Sequence, residues 1–176
     1  MINELVADVS SKLEKANIEY MLSGSIAMGF YSMGRTSWDV DVVINLKEEE
    51  IEKFISLFRD RYFLQQHVIK EEIKRTGMFN IIDQNTSFKI DFIIKKHTPF
   101  RDEEFRRRKK VNFLGTELWI VSLEDLILSK LIWIQELESD LQKKDITFLL
   151  QNNSIIDKSY IESWIQKLHL NTYNLL

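Results

Sequence analysis

Cysteine is absent from the 176 residues, which excludes disulfides, thiolate zinc sites and a cysteine nucleophile. The absence fits a reducing compartment. Proline occurs once and glycine five times, so each glycine is a candidate for a specific backbone task. No apolar run approaches the ~18 residues that a membrane span needs. The N-terminal stretch MINELVADVSSKLEKAN carries charges throughout and lacks the apolar heart of a signal peptide. A cytoplasmic location with no membrane partner is the expectation. A strong charge of one sign is also missing. With 24 Lys and Arg against 27 Asp and Glu, the net charge is −3, so the chain as a whole is no polyanion binder. What is present is an ordinary globular balance, 44% hydrophobic and 29% charged, with 11 Phe and 4 Trp to build a core. The length suits one domain, or one domain with a small appendage.

Along the chain, Ile2, Leu5, Val6, Val9 and Leu13 recur at helical spacing over residues 2–16. Tyr20-Met21-Leu22 reads as a short strand running into the turn Ser23-Gly24-Ser25, and residues 26–33 as a short helix with Gly34 as its C-cap. Trp38 to Asn45 alternates Asp39 and Asp41 against Val40, Val42 and Ile44, a strand pattern. Helices are expected over 47–61 and 68–75, strands over 78–83 and 87–95, a charged helix from Phe100 to Lys110, and a last strand from Glu117 to Val121. Ser122 with Asp125 then opens a long helix, and two further helices lie near 141–151 and 157–169. The expected fold is α/β: a small mixed, mostly antiparallel sheet with flanking helices over 1–121, and a helical C-terminal extension over 122–176.

Chemistry concentrates in three aspartates. Residues i and i+2 of a strand share a face, so Asp39 and Asp41 emerge together while Val40 and Val42 face the core. In Phe88-Lys89-Ile90-Asp91-Phe92-Ile93, Ile90 and Phe92 pack inward and Asp91 points the other way. Neighbouring strands lie ~4.8 Å apart, so Asp91 joins the pair if the two strands are adjacent. Three close carboxylates repel unless a cation sits between them, and Mg²⁺ or Mn²⁺ is the natural partner. Asp91 is then the candidate general base or a further metal ligand. Gly24 permits close backbone approach at a helix start. Ser25 beside it is placed to cap the helix and to meet a phosphate oxygen, two roles that share the same N-terminal site. Arg35 and Lys130 are candidate phosphate contacts, and a snorkelling Lys130 is the plainer alternative. The run Arg106 to Lys110 fits either acid–base pairing on a solvated helix or contact with a triphosphate or RNA backbone. Trp133 and Trp164 read as core, Trp38 as a possible exception beside the acids.

The layout Leu22-Ser23-Gly24-Ser25, a helix, Trp38-Asp39-Val40-Asp41-Val42 and later Ile90-Asp91-Phe92 resembles the DNA-polymerase-β-like nucleotidyltransferase superfamily. Ser23 stands where many of its members carry a second glycine. Met78 to Ile82, Glu104 to Arg108, Ser122 to Ile127 and Lys143 to Ile146 look like a small bacterial group similar to abortive-infection nucleotidyltransferase toxins. The resemblance implies metal-dependent transfer of a nucleotidyl group from a nucleoside triphosphate such as ATP to a hydroxyl of tRNA, protein or a small molecule. It also implies a toxin–antitoxin role with an antitoxin partner. The many aromatics of so small a domain leave a homodimer open. A non-catalytic nucleotide-binding module of the same fold is the alternative.

Overall fold

The computed structural model describes residues 2–32 and 39–176. Helix α1 (Ile2–Lys15) buries Leu5, Val6, Val9 and Leu13, the stripe that its spacing dictates. Strand β1 (Tyr20–Leu22) is buried along its whole length, and α2 (Gly24–Tyr31) follows at once, starting two residues before the expected point. The position expected to be its glycine C-cap, Gly34, lies outside the described residues. Strand β2 (Val40–Ile44) alternates buried valine and isoleucine with half-buried Asp41 and Val43. A 3₁₀ turn at Glu48–Glu50 leads into α3 (Ile51–Phe58). Strand β3 (Tyr62–Phe63) and helix α4 (Gln66–Lys74) come next. Strands β4 (Met78–Asp83) and β5 (Lys89–Ile94) form the expected hairpin.

Helix α5 (Pro99–Arg106) is shorter than the charged run suggests. Lys109 and Lys110 belong instead to β6 (Lys109–Phe113), which pairs antiparallel with β7 (Thr116–Ile120). The two-residue turn between them holds Leu114 and Gly115 at φ +50° and +88°, the positive values that a tight hairpin turn matching strand twist requires. Edge pairing thus overrides the helical reading of the lysines. Helices α6 (Leu123–Glu136), α7 (Asp140–Asn152) and α8 (Lys158–Leu168) complete the chain.

Among the described residues seven strands form one sheet in the order β3-β4-β5-β2-β1-β7-β6. Pairings β1–β7 and β2–β5 are parallel and the other four antiparallel, so the sheet is mixed and mostly antiparallel as expected. Phe54 and Phe58 of α3 pack edge-on against Phe79 and Phe92, with ring centroids 5.0–5.7 Å apart, and close one face of β4 and β5. Because strand side chains alternate, the opposite face of β4 presents Met78, Asn80 and Ile82, all exposed. The acids lie on that opposite face, next to this open strip.

Helix α6 is held by polar contacts as well as by apolar packing. Ser122 caps it by accepting from the Asp125 backbone N–H. The fully buried Asp125 carboxylate accepts from Arg107 Nε at 3.1 Å, Tyr160 Oη at 2.6 Å and Ser122 Oγ at 2.5 Å. Burial and the neighbouring carboxylate push the Tyr160 phenol up, so it remains a donor. One aspartate therefore ties α5, α6 and α8 together.

Candidate active site

The acid pair begins with local strand geometry. Asp41 leaves the outer face of β2, and in the parallel pairing of β2 with β5 its register partner is Asp91. The adjacency that sequence alone leaves open is therefore present. Asp39 stands one residue before β2, exposed. Burial, and after it the Asp91 charge, push the Asp41 carboxyl above its ordinary value. The Ser25 backbone N–H counters by donating to it.

Gly24 sits against this carboxylate at φ +52°. A Cβ on it would collide with Asp41, lying 2.6 Å from that residue's Cγ. Ser23 N–H donates to the Asp41 carbonyl at 3.0 Å, which joins the end of β1 to β2. The Ser25 hydroxyl donates to the Asp39 carbonyl at 2.6 Å. The start of α2 thus grips the acid-bearing segment at three points and fixes where Asp39 and Asp41 lie.

The acids open onto a cleft of about 530 Å³ between the outer sheet face and α6. Leu126, Ser129, Lys130 and Trp133 of α6 line it at i, i+3, i+4 and i+7, one helical stripe. Trp133, expected in the core, is 56% exposed on this wall, whereas Trp164 is buried as expected. The reason is rotational: the other faces of α6 carry the residues that meet the core, and Trp133 falls on the cleft face. Lys130 does not snorkel to solvent. Its Nζ donates to Asp145 Oδ2 and Gln142 Oε1 of α7, both at 2.8 Å, and still acts on the charge of Asp41.

Further cations border the cleft. Arg101 donates to Glu104 and Ser129, and burial pushes the Glu104 carboxyl up against the influence of that guanidinium. Lys95 pairs with Asp102. Lys89 lies beside the acids, 2.9 Å from Asp91 Oδ2 and 4.0 Å from Asp39 Oδ1. Lys89, Lys95, Lys96, Arg101 and Lys130 line the cleft together with Asp41, Asp91 and Glu104. Sequence reading missed Lys89, Arg101 and Ser129. Only Lys89 had a legible signal, since it stands two residues before Asp91 on the same strand face.

The basic run serves the frame. Arg106 pairs with Glu103, Arg107 with Asp125 and Glu124, Arg108 with Glu19, and Lys110 with Glu117. Arg35 and Trp38 lie outside the described residues. Among the described residues no three acidic or histidine side chains converge as a ready-made metal cage.

Comparison with solved structures identifies the architecture. A nucleotidyltransferase-like antigenic protein of Paracoccidioides brasiliensis superposes with a TM-score of 0.58 at 16% identity, over 93% of this chain and 85% of its own. The antibiotic-resistance factor ANT(2'')-Ia superposes with a TM-score of 0.63 at 9% identity, over 94% and 91%. The lincosamide antibiotic adenylyltransferase LnuA, solved with lincomycin bound, gives 0.51 at 11% identity, over 80% and 91%. No protein-family model and no curated protein matches the sequence. At these identities the likeness is one of fold: the chain shares the fold of these nucleotidyltransferase-like structures.

Proposed function

We propose that this chain, with its nucleotidyltransferase-superfamily fold, is a metal-dependent enzyme that moves a nucleotidyl group from a nucleoside triphosphate to an acceptor hydroxyl. The observation that carries the reading is the Asp41–Asp91 register pair, set beside a glycine with no room for a side chain and facing a cation-lined cleft. Burial and the Asp91 charge both work against an ionised Asp41, which favours a bound cation at the pair over a purely structural role.

A divalent cation fits these residues by two tests. The donors are hard carboxylate oxygens, the kind that Mg²⁺ and Mn²⁺ take. A cation already stands among them as the Lys89 ammonium, bridging towards Asp91 and Asp39. Asp39 and Asp41 would hold the ion, with Asp91 at its flank. When bound, it offsets the charge of the triphosphate and of the departing pyrophosphate.

The chain's own residues supply the rest. The backbone at Gly24 and Ser25 lets phosphate come close to the start of α2, where N–H groups favour anions. Lys130, fixed by Asp145 and Gln142, offers positive charge without side-chain freedom to lose. Asp91 accepts the proton of the acceptor hydroxyl as its oxygen bonds to the α-phosphorus. The bond from that phosphorus to the bridging oxygen breaks, and pyrophosphate leaves.

The test is incubation with each labelled triphosphate and with tRNA, protein and metabolite fractions in turn, read by mass spectrometry. A nucleotide-sized mass increase in one fraction, lost in Asp41→Asn, is expected. Equal label in the variant would sink the reading. In parallel, Asp39→Ala should weaken Mn²⁺ binding by at least about 10-fold, since it removes a direct carboxylate ligand. An unchanged titration would remove Asp39 from the metal site.

The role of Lys130 has its own measurement. Lys130→Gln combined with Asp145→Asn removes the ion pair without stranding a buried charge. Affinity for triphosphate should fall by about 10-fold, the worth of one charge-assisted contact, with the melting temperature little changed. Unaltered affinity would make Lys130 a purely structural cation.

A further inference from the structure

Resting on that reading, we propose that Lys89 is a positioning residue: a built-in counter-cation that holds Asp91 to itself and limits the free protein to one tightly bound divalent ion at Asp39 and Asp41. Strand period puts Lys89 and Asp91 on one face of β5, two residues apart. Its Nζ is 2.9 Å from Asp91 Oδ2 and 4.0 Å from Asp39 Oδ1, so it spans the gap between the third acid and the first. The Asp91 side chain is nearly buried, whereas the Lys89 side chain is 43% exposed and so has room to swing away. The charge of Asp41 acts on the same amine, so all three acids of the site share it.

Charge counting gives the consequence. Three carboxylates carry −3, and with the Lys89 ammonium the site carries −2, which one divalent ion balances. A second divalent ion would then carry the neutralised site to +2 in the free protein, with nothing there to compensate it. A bound triphosphate changes the count, because its own negative charges compete for Lys89 and repay the second ion. Lys89 thereby keeps Asp91 fixed and separate from the first metal until nucleotide arrives.

The experiment is Mn²⁺ titration of the full chain without nucleotide, followed by electron paramagnetic resonance and calorimetry. The variants are Lys89→Met, Lys89→Arg and Asp39→Ala, each checked for an unchanged thermal melt. Wild type should take one Mn²⁺ tightly. Lys89→Met should bind Mn²⁺ about 5–10-fold more tightly and take a second ion without nucleotide, because the repelling charge is gone. Lys89→Arg keeps the charge and should behave like wild type, and this contrast with Lys89→Met is what a merely structural lysine would not produce in a metal titration. Binding in Lys89→Met equal to or weaker than wild type, while Asp39→Ala still weakens it, overturns the Lys89 assignment alone. Binding that Asp39→Ala leaves unweakened overturns the metal reading beneath it, and the Lys89 assignment falls with it.

Discussion

Gly24→Ala is expected to cut nucleotidyl transfer by 100-fold or more. The φ of +52° at this position already costs an L-residue about 1 kcal/mol or more. The added methyl cannot be housed by small adjustments, because what it meets is the Asp41 carboxylate, with Cγ 2.6 Å from the new Cβ. Asp41 must rotate, or the start of α2 must lift away from β2. Either movement is of the order of 1 Å at the reacting centre, and misplacement on that scale costs on the order of 10²-fold. Gly29 supplies the control. It lies on the same helix with open space where a side chain would go, so Gly29→Ala should leave transfer intact and raise stability by about 0.5–1 kcal/mol. Steady-state transfer assays and thermal melts on both variants decide the matter. Gly24→Ala with near-normal activity would mean that close approach at Asp41 is not required.

The largest effect on stability is expected away from the acids, at Asp125→Ala, with a loss of about 3–5 kcal/mol. The fully buried Asp125 carboxylate receives Arg107, Tyr160 and Ser122, and its removal strands all three donors at once. Arg107 keeps only its 3.4 Å contact with Glu124 and its position 3.9 Å over the Tyr160 ring. For a chain of this length the loss corresponds to a fall in melting temperature of roughly 10 °C or more. Asp125→Asn preserves the shape and two acceptor lone pairs and should lose less. Urea melts of the two variants measure the difference, and Asp125→Ala within 1 kcal/mol of wild type would show the network to be dispensable. Because α5, α6 and α8 meet at this carboxylate, its loss should also loosen the cleft wall that α6 provides.

Most elements could be read from the sequence because their signals are local. α1 follows from its apolar spacing, α6 from Ser122 at its cap, and β2, β4 and β5 from alternation. The failures have a common cause. β6 was hidden in a charged run that looks helical, and β3 is two residues long, too short for a period. Both exist because a neighbouring strand supplies hydrogen bonds that no local pattern records. Trp133 failed differently, since a helix wheel ranks hydrophobicity but cannot say which stripe meets the core and which faces an opening.

At the site the same division holds. By itself the sequence determined that Asp39 and Asp41 lie on one side of a strand, that Asp91 lies on the polar side of another, and that a glycine precedes a helix upstream. Each of these follows from backbone periods of two or 3.6 residues, which are properties of the chain alone. Tertiary structure decided that β2 and β5 are neighbours in register, so that Asp41 faces Asp91. It set Gly24 against a carboxylate rather than in open solvent, and pinned Lys130 inward with Asp145 instead of letting it reach water. It also brought Lys89 into the acid site. These facts depend on which strands pair and which helix covers them, and that choice is made by burial of the whole core, over distances along the chain that no local period spans.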